Sequence, residues 1–200
     1  MDIVQGDFIN GSAVVYKKED GALVAGLQFE DGSYRWFYDR KLSRFTCDRA
    51  ILSDGVCIVY INRLGEIITP MDFLAADEFS EDRAFATDGM STYLLDTDGM
   101  IIREWDEPFV TSLFKNGTAL LQRMTEDGNS AEEALVDKYG NIIAGFAPKR
   151  NLQSPLDIMI DEQPDEWHEG IQHFYSGEGF GVRDRFGNEL ISDRGWEDIF

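Results

Sequence analysis

The stretch Phe79 to Ile102, FSEDRAFATDGMSTYLLDTDGMII, constrains the chain more than any other, because its fixed points recur elsewhere at nearly the same internal spacing. Phe79 opens it, Ser80, Glu81 and Asp82 turn, and Ala84, Phe85 and Ala86 begin an extended run that breaks at Asp88 and Gly89. Asp-Gly between two such runs signals a hairpin, since a type I′ turn needs positive φ at both central residues and glycine supplies it without strain. Tyr93, Leu94 and Leu95 form the returning strand, Asp96 to Gly99 a second turn, and Met100, Ile101 and Ile102 a third strand. The unit is a three-stranded meander.

Two signatures follow from it: an apolar residue followed by x-x-G/D-x-small, then D/N-x-x-G-x-Φ-Φ. The first recurs as Phe8, Gly11, Ala13; as Leu52, Gly55, Cys57; as Phe114, Gly117, Ala119; and as Trp167, Gly170, Gln172. The second recurs as Asn62, Gly65, Ile67, Ile68; as Asp137, Gly140, Ile142, Ile143; and, slightly shifted, as Asp184, Gly187, Leu190, Ile191. From opening residue to second-turn Asp the interval is 96 − 79 = 17 and again 184 − 167 = 17, while 137 − 114 = 23 reflects a longer hairpin tip at Glu126 to Ser130. Fixed ends with a variable middle are what a hairpin array shows, because insertions accumulate at turn tips.

With these residues in view the pattern resembles the WG-repeat family, whose units read roughly F-x-E-G-x-A-x-V, a short turn, then W-G-Y-I-D-x-x-G-x-I-I. The likeness is best in Phe79 to Ile102 and Trp167 to Ile191, good in Phe114 to Ile143, and degraded before Leu52. The Trp-Gly pair that names the family is missing from every unit; Phe180 and Gly181, before Val182, Arg183 and Asp184, keep its shape. The resemblance implies a repeat architecture without one shared biochemical activity. The expected fold is all-β: a tandem array of antiparallel β-hairpin or three-stranded meander units, propeller-like or open and solenoid-like.

One β-repeat domain over residues 1–200 is expected, with units at roughly 1–70, 71–104, 105–146 and 166–200. Within the first seventy residues, Phe8 to Phe45 reads either as one unit enlarged by an extra hairpin or as the start of three short units, and the equal spans of Phe8 to Lys18, Phe29 to Asp39 and Leu52 to Asn62 favour the second. Tyr34, Trp36 and Tyr38 fall on one face of a strand, with Arg35, Phe37 and Asp39 on the other. An aromatic stripe is usually packing; left exposed, it is a contact surface. The closing residues Trp196 to Phe200 resemble the start of a linker that Met1 to Val4 could continue, as a closing ring needs. Residues 147–166 are an acidic, Pro-containing insertion, whose Asp157, Asp161 and Glu162 are candidates for a partner surface together with Tyr34, Trp36, Tyr38 and Trp105.

Composition decides which partners are excluded. Net charge is −20, spread unevenly: by successive fifties, acids against bases are 8 to 7, 10 to 2, 8 to 6 and 12 to 3. Such a field repels nucleic acid and anionic membrane, so neither is expected as a partner. No run reaches a membrane span, and the first residues form no signal peptide. Two cysteines make no disulfide framework; Cys57 occupies the small-residue slot of the first signature, Cys47 lies in a loop, and a cytoplasmic location is expected.

No cofactor, metal site or catalytic group is expected. His168, Glu169 and His173 have the spacing H-E-x-x-x-H, which on a helix puts the two rings about 140° apart, too far round to share a metal. Asp96, Thr97, Asp98, Gly99 starts like a calcium loop, but its counterparts Asp137, Lys138, Tyr139 and Asp184, Arg185, Phe186 carry no second carboxylate there, so turn chemistry accounts for the motif. Neither histidine has a recognisable nucleophile partner, and the Gly-rich run Gly177 to Gly181 precedes a strand rather than a helix. The leading expectation is a non-enzymatic interaction module for a protein partner, in particular a basic one, such as an immunity or inhibitor protein for a basic enzyme. The alternatives are a glycan-binding protein using Trp36, Trp105 or Trp196 as platforms, with Trp167 in a core slot, and an enzyme built on a propeller-like scaffold.

Overall fold

In the computed structural model, residues 3–125, 128, 130–148, 167–176 and 179–192 are described. Every element among them is a strand, and the strands form five small antiparallel sheets in chain order. The first holds β1 (Ile3–Gln5), β2 (Ser12–Glu19), β3 (Ala22–Phe29) and β4 (Tyr34–Phe37); the second holds β5 (Lys41–Leu42), β6 (Arg49–Ser53) and β7 (Ile58–Asn62). The third holds β8 (Ala75–Ala76), β9 (Arg83–Thr87), β10 (Thr92–Asp96) and β11 (Ile101–Trp105), and the fourth β12 (Val110–Thr111), β13 (Thr118–Met124), β14 (Ala131–Asp137) and β15 (Ile142–Pro148). The fifth holds β16 (Trp167–His168), β17 (Ile171–Ser176), β18 (Gly179–Asp184) and β19 (Glu189–Ile191). The expected tandem array of meanders is therefore the fold, and residues 3–62 supply two of its sheets.

Each sheet opens with the same turn. Its two central residues have positive φ: Asn10 and Gly11 at 50° and 91°, Cys47 and Asp48 at 49° and 60°, Glu81 and Asp82 at 50° and 65°, Asn116 and Gly117 at 55° and 80°, Glu169 and Gly170 at 48° and 79°. This corrects two readings. The doubly left-handed turn lies at Glu81 and Asp82 rather than at Asp88 and Gly89, where Gly89 alone has positive φ and the Asp88 carboxylate accepts from the backbone N–H of Met90 and Ser91. The second sheet opens at Phe45, Asp48 and Ala50 rather than at Leu52, Gly55 and Cys57, which lie along β6 and its hairpin tip. Cys57 is accordingly only half-buried.

The D/N-x-x-G turn closes the same edge of four sheets by one device. The first residue's Oδ1 accepts two backbone N–H groups: Asn62 from Leu64 and Glu66, Asp96 from Asp98 and Met100, Asp137 from Tyr139 and Asn141, and Asp184 from Phe186 and Asn188. These acceptors explain why Asp or Asn stands there, since a short carboxylate or amide bonds its own backbone two and four residues on. Because Arg49 pairs with Asn62, Arg83 with Asp96, Thr118 with Asp137 and Ile171 with Asp184, opening and closing turns share one edge, the near edge, and the hairpin tips lie on the far edge.

Sheets pack face to face through alternate side chains. Ala84, Ala86, Tyr93 and Leu95 of the third sheet meet Tyr60, Phe73 and Phe79, while Phe85 and Leu94 on its other face meet Phe109, Phe114, Ala119, Leu121 and Val136. The largest core joins three sheets: Val14, Tyr16, Ala25 and Leu27 of the first, Ala50, Leu52, Val59 and Ile61 of the second, and Ile171, Phe180, Val182 and Leu190 of the fifth. At the second-to-third contact, Gly99 is required twice over: its φ is +77°, and a Cβ there would stand 2.1 Å from the carbonyl oxygen of Ile68.

Candidate functional site

The near edge is where the sheets exchange polar contacts. Between the third and fourth, the Glu81 carboxylate accepts from the backbone N–H of Asn116 and Gly117, and Arg83 Nε donates to the Lys138 carbonyl at 2.8 Å. Between the second and third, Arg49 Nε donates to the Thr97 carbonyl. The first sheet reaches the second through Asn10 Nδ2, which donates to Asp48, and the fifth reaches the first through Asp7 N–H to the Glu169 carbonyl, 2.7 Å, and the Arg185–Asp7 ion pair, 2.6 Å.

Arg63 is the hub. Its guanidinium binds Glu169 through both terminal nitrogens at 3.0 and 2.5 Å, donates through Nε to Asp48 at 3.0 Å, and lies 4.1 Å over the Phe45 ring. A planar fork with several donors suits two carboxylates and an aromatic face at once. Burial opposes the charge on Arg63, yet the Glu169 and Asp48 carboxylates outweigh it and raise its pKa further. At Asp48 burial works upward instead, and the bonds from Asn10 and Arg63 hold the carboxyl below the usual range.

Four large apolar side chains one or two residues from these bonded groups are exposed. Leu64 follows Arg63 and is 56% exposed; Phe186 follows Arg185 and is 78% exposed. Phe8 follows Asp7 at 43%, and Trp167, two residues before Glu169, is 50% exposed. Trp167 therefore does not fill the core slot expected of it, and Phe8 stands exposed in the same way. Phe45, Phe79 and Phe114 fill the same slot at 3% exposure, each packed on the sheet before it, whereas Phe8 and Trp167 do not bury theirs.

The stripe Tyr34, Trp36, Tyr38 does share one face, opposite Phe37, but its rings are engaged with one another. Tyr34 stacks on Trp36 with centroids 5.5 Å apart and planes within 5°. Lys17 Nζ lies 4.8 Å from the Trp36 ring centre and 4.6 Å from that of Tyr38, whose hydroxyl it meets at 2.6 Å, and it pairs with Glu19. The bonds to Glu19 and to Tyr38 raise the Lys17 pKa. Trp36 lies flat because Gly26 beneath it has no side chain: a Cβ there would come within 2.6 Å of the indole. A saccharide stacks on an open ring face, and Trp36 has spent its own on Tyr34 and Lys17.

Trp105 is a packing residue rather than a platform, set against Phe85 at 6.2 Å and Phe109 at 6.3 Å beside the core of the third and fourth sheets. Asp157, Asp161, Glu162 and Trp196 lie outside the described residues, as do the terminal residues on which ring closure was read. The two histidines do not converge: His168 Nε2 is 3.1 Å from the Phe45 carbonyl, and His173 sits between Tyr16 and Phe180 with ring centres 5.7 and 5.5 Å away. Burial, then the nearby His168, lowers the His173 pKa to about 4. Among the described residues no group of three or more His, Cys, Asp or Glu is placed to hold a metal ion, and no helix is long and apolar enough to cross a membrane.

No family model and no curated protein matches the sequence. Among solved structures the chain is similar to BamB from Moraxella catarrhalis, with 11% identity and a TM-score of 0.41 over 94% of this chain and 62% of that one. It is similar also to the β-propeller domain of the Trilobed protease from Pyrococcus furiosus, with 10% identity and a TM-score of 0.39 over 98% of this chain and 86% of that one. Prolyl oligopeptidase B from Galerina marginata matches with 13% identity and a TM-score of 0.39 over 92% of this chain and 31% of that one. The chain thus spans less than two thirds of the BamB structure, and superpositions this loose bear on neither activity nor partner.

Proposed function

We propose that this chain is a non-enzymatic binding module of the WG-repeat type, presenting an acidic β-repeat surface to a protein partner that is itself basic. The observation that supports the reading is how the charges are disposed. Cations are drawn into internal pairs: Arg63 with Asp48 and Glu169, Arg123 with Glu107 and Glu132, Lys138 with Glu81 and Arg185 with Asp7. Carboxylates such as Glu30, Asp54, Asp72, Asp98 and Glu104 are exposed, in a chain of net charge −20. A surface of this kind speeds and selects encounter with positive partners and turns away nucleic acid.

Calorimetry with polylysine and with polyglutamate tests the reading. Polylysine binds at low ionic strength and is released near 1 M salt, where the Debye length falls to about 3 Å. Equal binding of both polymers, or binding that ignores salt, sinks it. A glycan partner is the weaker reading, since the Trp36 ring is already engaged.

A further inference from the structure

We infer that the near edge where the first, second and fifth sheets meet is a docking surface for a basic protein segment carrying an aliphatic or aromatic anchor. This rests on the binding-module reading and adds a place and a partner chemistry to it. Phe8, Leu64, Trp167 and Phe186 each lie one or two residues from a member of a single bonded set, Asp7, Arg63, Glu169 and Arg185. The Asp7 N–H donates to the Glu169 carbonyl, Arg63 to the Glu169 carboxylate and Arg185 to the Asp7 carboxylate, so the chain segments that carry the four apolar side chains are tied to one another. Two of them are core slots left open: the residue that Phe45, Phe79 and Phe114 bury to 3% exposure stands at 43% in Phe8 and 50% in Trp167.

Large exposed apolar groups rimmed by charge mark interaction sites, and aromatic residues beside arginine are the composition of interface hot spots. Leu64 and Phe186 sharpen the point. They occupy the third place of a turn whose backbone is held by Asn62 and Asp184, so nothing in the fold calls for an apolar residue there. Charge decides the occupant. A second copy would bring −20 against −20, whereas both arginines of the region are already neutralised by Asp7, Asp48 and Glu169. What is offered is a set of apolar anchors in an acidic field, and a segment of apolar side chains flanked by Lys or Arg complements it.

The full chain labelled with 5-fluorotryptophan, with the Trp167 resonance assigned by Trp167→Phe, is titrated with a short peptide alternating lysine and leucine. The Trp167 resonance shifts, and Phe186→Ser or Leu64→Ser, at exposed turn positions that leave folding intact, weakens binding about tenfold. Far-edge controls Val56→Ser and Met90→Ser change it less than about twofold. If a lysine–serine peptide binds as well and Phe186→Ser has no effect, the docking surface falls and the acidic-field reading stands. If neither peptide binds at low salt, the binding-module reading itself falls. A glutamate–leucine peptide bound equally overturns the positive partner, and a sedimenting dimer that Phe186→Ser makes monomeric assigns the face to a second copy instead.

Discussion

The junctions that run from the first sheet to the fourth differ from the place where the fifth sheet meets the first. In the former, an opening phenylalanine is buried on the preceding sheet, as Phe79 is against Tyr60 at 4.9 Å and Phe114 against Phe85 at 5.3 Å. At the latter, the matching Phe8 and Trp167 stay exposed, and ion pairs centred on Arg63 and Asp7 edge the apolar core that the first, second and fifth sheets share. Apolar contacts keep their strength across salt and moderate pH, while ionic ones follow the protonation of their members. One repeat thus yields junctions closed by a buried ring and one whose apolar core is edged by groups that answer to conditions.

The contrast can be broken at its firm side first. Phe79→Ala empties a slot 3% exposed and should cost about 4 kcal/mol, seen as a lower urea midpoint; Phe8→Ala should cost under about 1 kcal/mol, and a like loss at both would erase the distinction. Arg63→Met removes the hub and leaves Asp48 and Glu169 facing each other's charge, a loss of about 3 kcal/mol. It should appear in hydrogen exchange as opening of the fifth sheet before the third, and a uniform loss of protection would count against a separate junction.

Acid should loosen the same junction through His173. Its folded pKa, about 4, lies below the unfolded value near 6.5, so the unfolded chain binds the extra proton in that window. The stability from burying a neutral ring is present above about pH 6.5 and lost as pH falls to about 4, by about 3 kcal/mol. Asp77 acts with the opposite sign. Burial, less the bond it accepts from Thr111, raises its pKa, so its contribution is greatest below the unfolded value and declines as pH rises through the folded one. His173→Phe, packed between Tyr16 and Phe180, should flatten the acid limb of a pH–stability curve; an unchanged limb would place the titration elsewhere.

The opening turns differ from one another at their first left-handed residue. Cys47 holds a left-handed φ of 49° where the first and fourth sheets use Asn10 and Asn116. Asn tolerates that conformation better, so Cys47→Asn should raise the midpoint of thermal unfolding by an amount equivalent to about 0.5 kcal/mol. No gain would show that the turn is held by its neighbours.

The turn chemistry was the legible layer. Asp96, Asp137 and Asp184 with their following glycines were visible because the motif is local and needs only its own backbone. The register of the second sheet was not, because a meander places a glycine-bearing turn at both ends and Leu52, Gly55, Cys57 mimics the opening turn. A better signal was present: Phe45, Asp48, Arg49 and Ala50 repeat Phe79, Asp82, Arg83 and Ala84 residue for residue. Strand alternation alone places Tyr34, Trp36 and Tyr38 on one face, yet Lys17, which occupies it, lies on another strand and gives no local sign. Arg63 was missed for the same reason, since its carboxylates come from Asp48 and Glu169.

The all-β character, the D/N-x-x-G turns and the acidic balance are carried by the amino-acid sequence, because each depends on a few neighbouring residues or on the sum of charges. Which opening aromatic is buried and which faces water emerges with the packing of the sheets. That outcome depends on the sheet that comes to lie beside each one, and Phe8 and Phe79 look alike until that neighbour is in place.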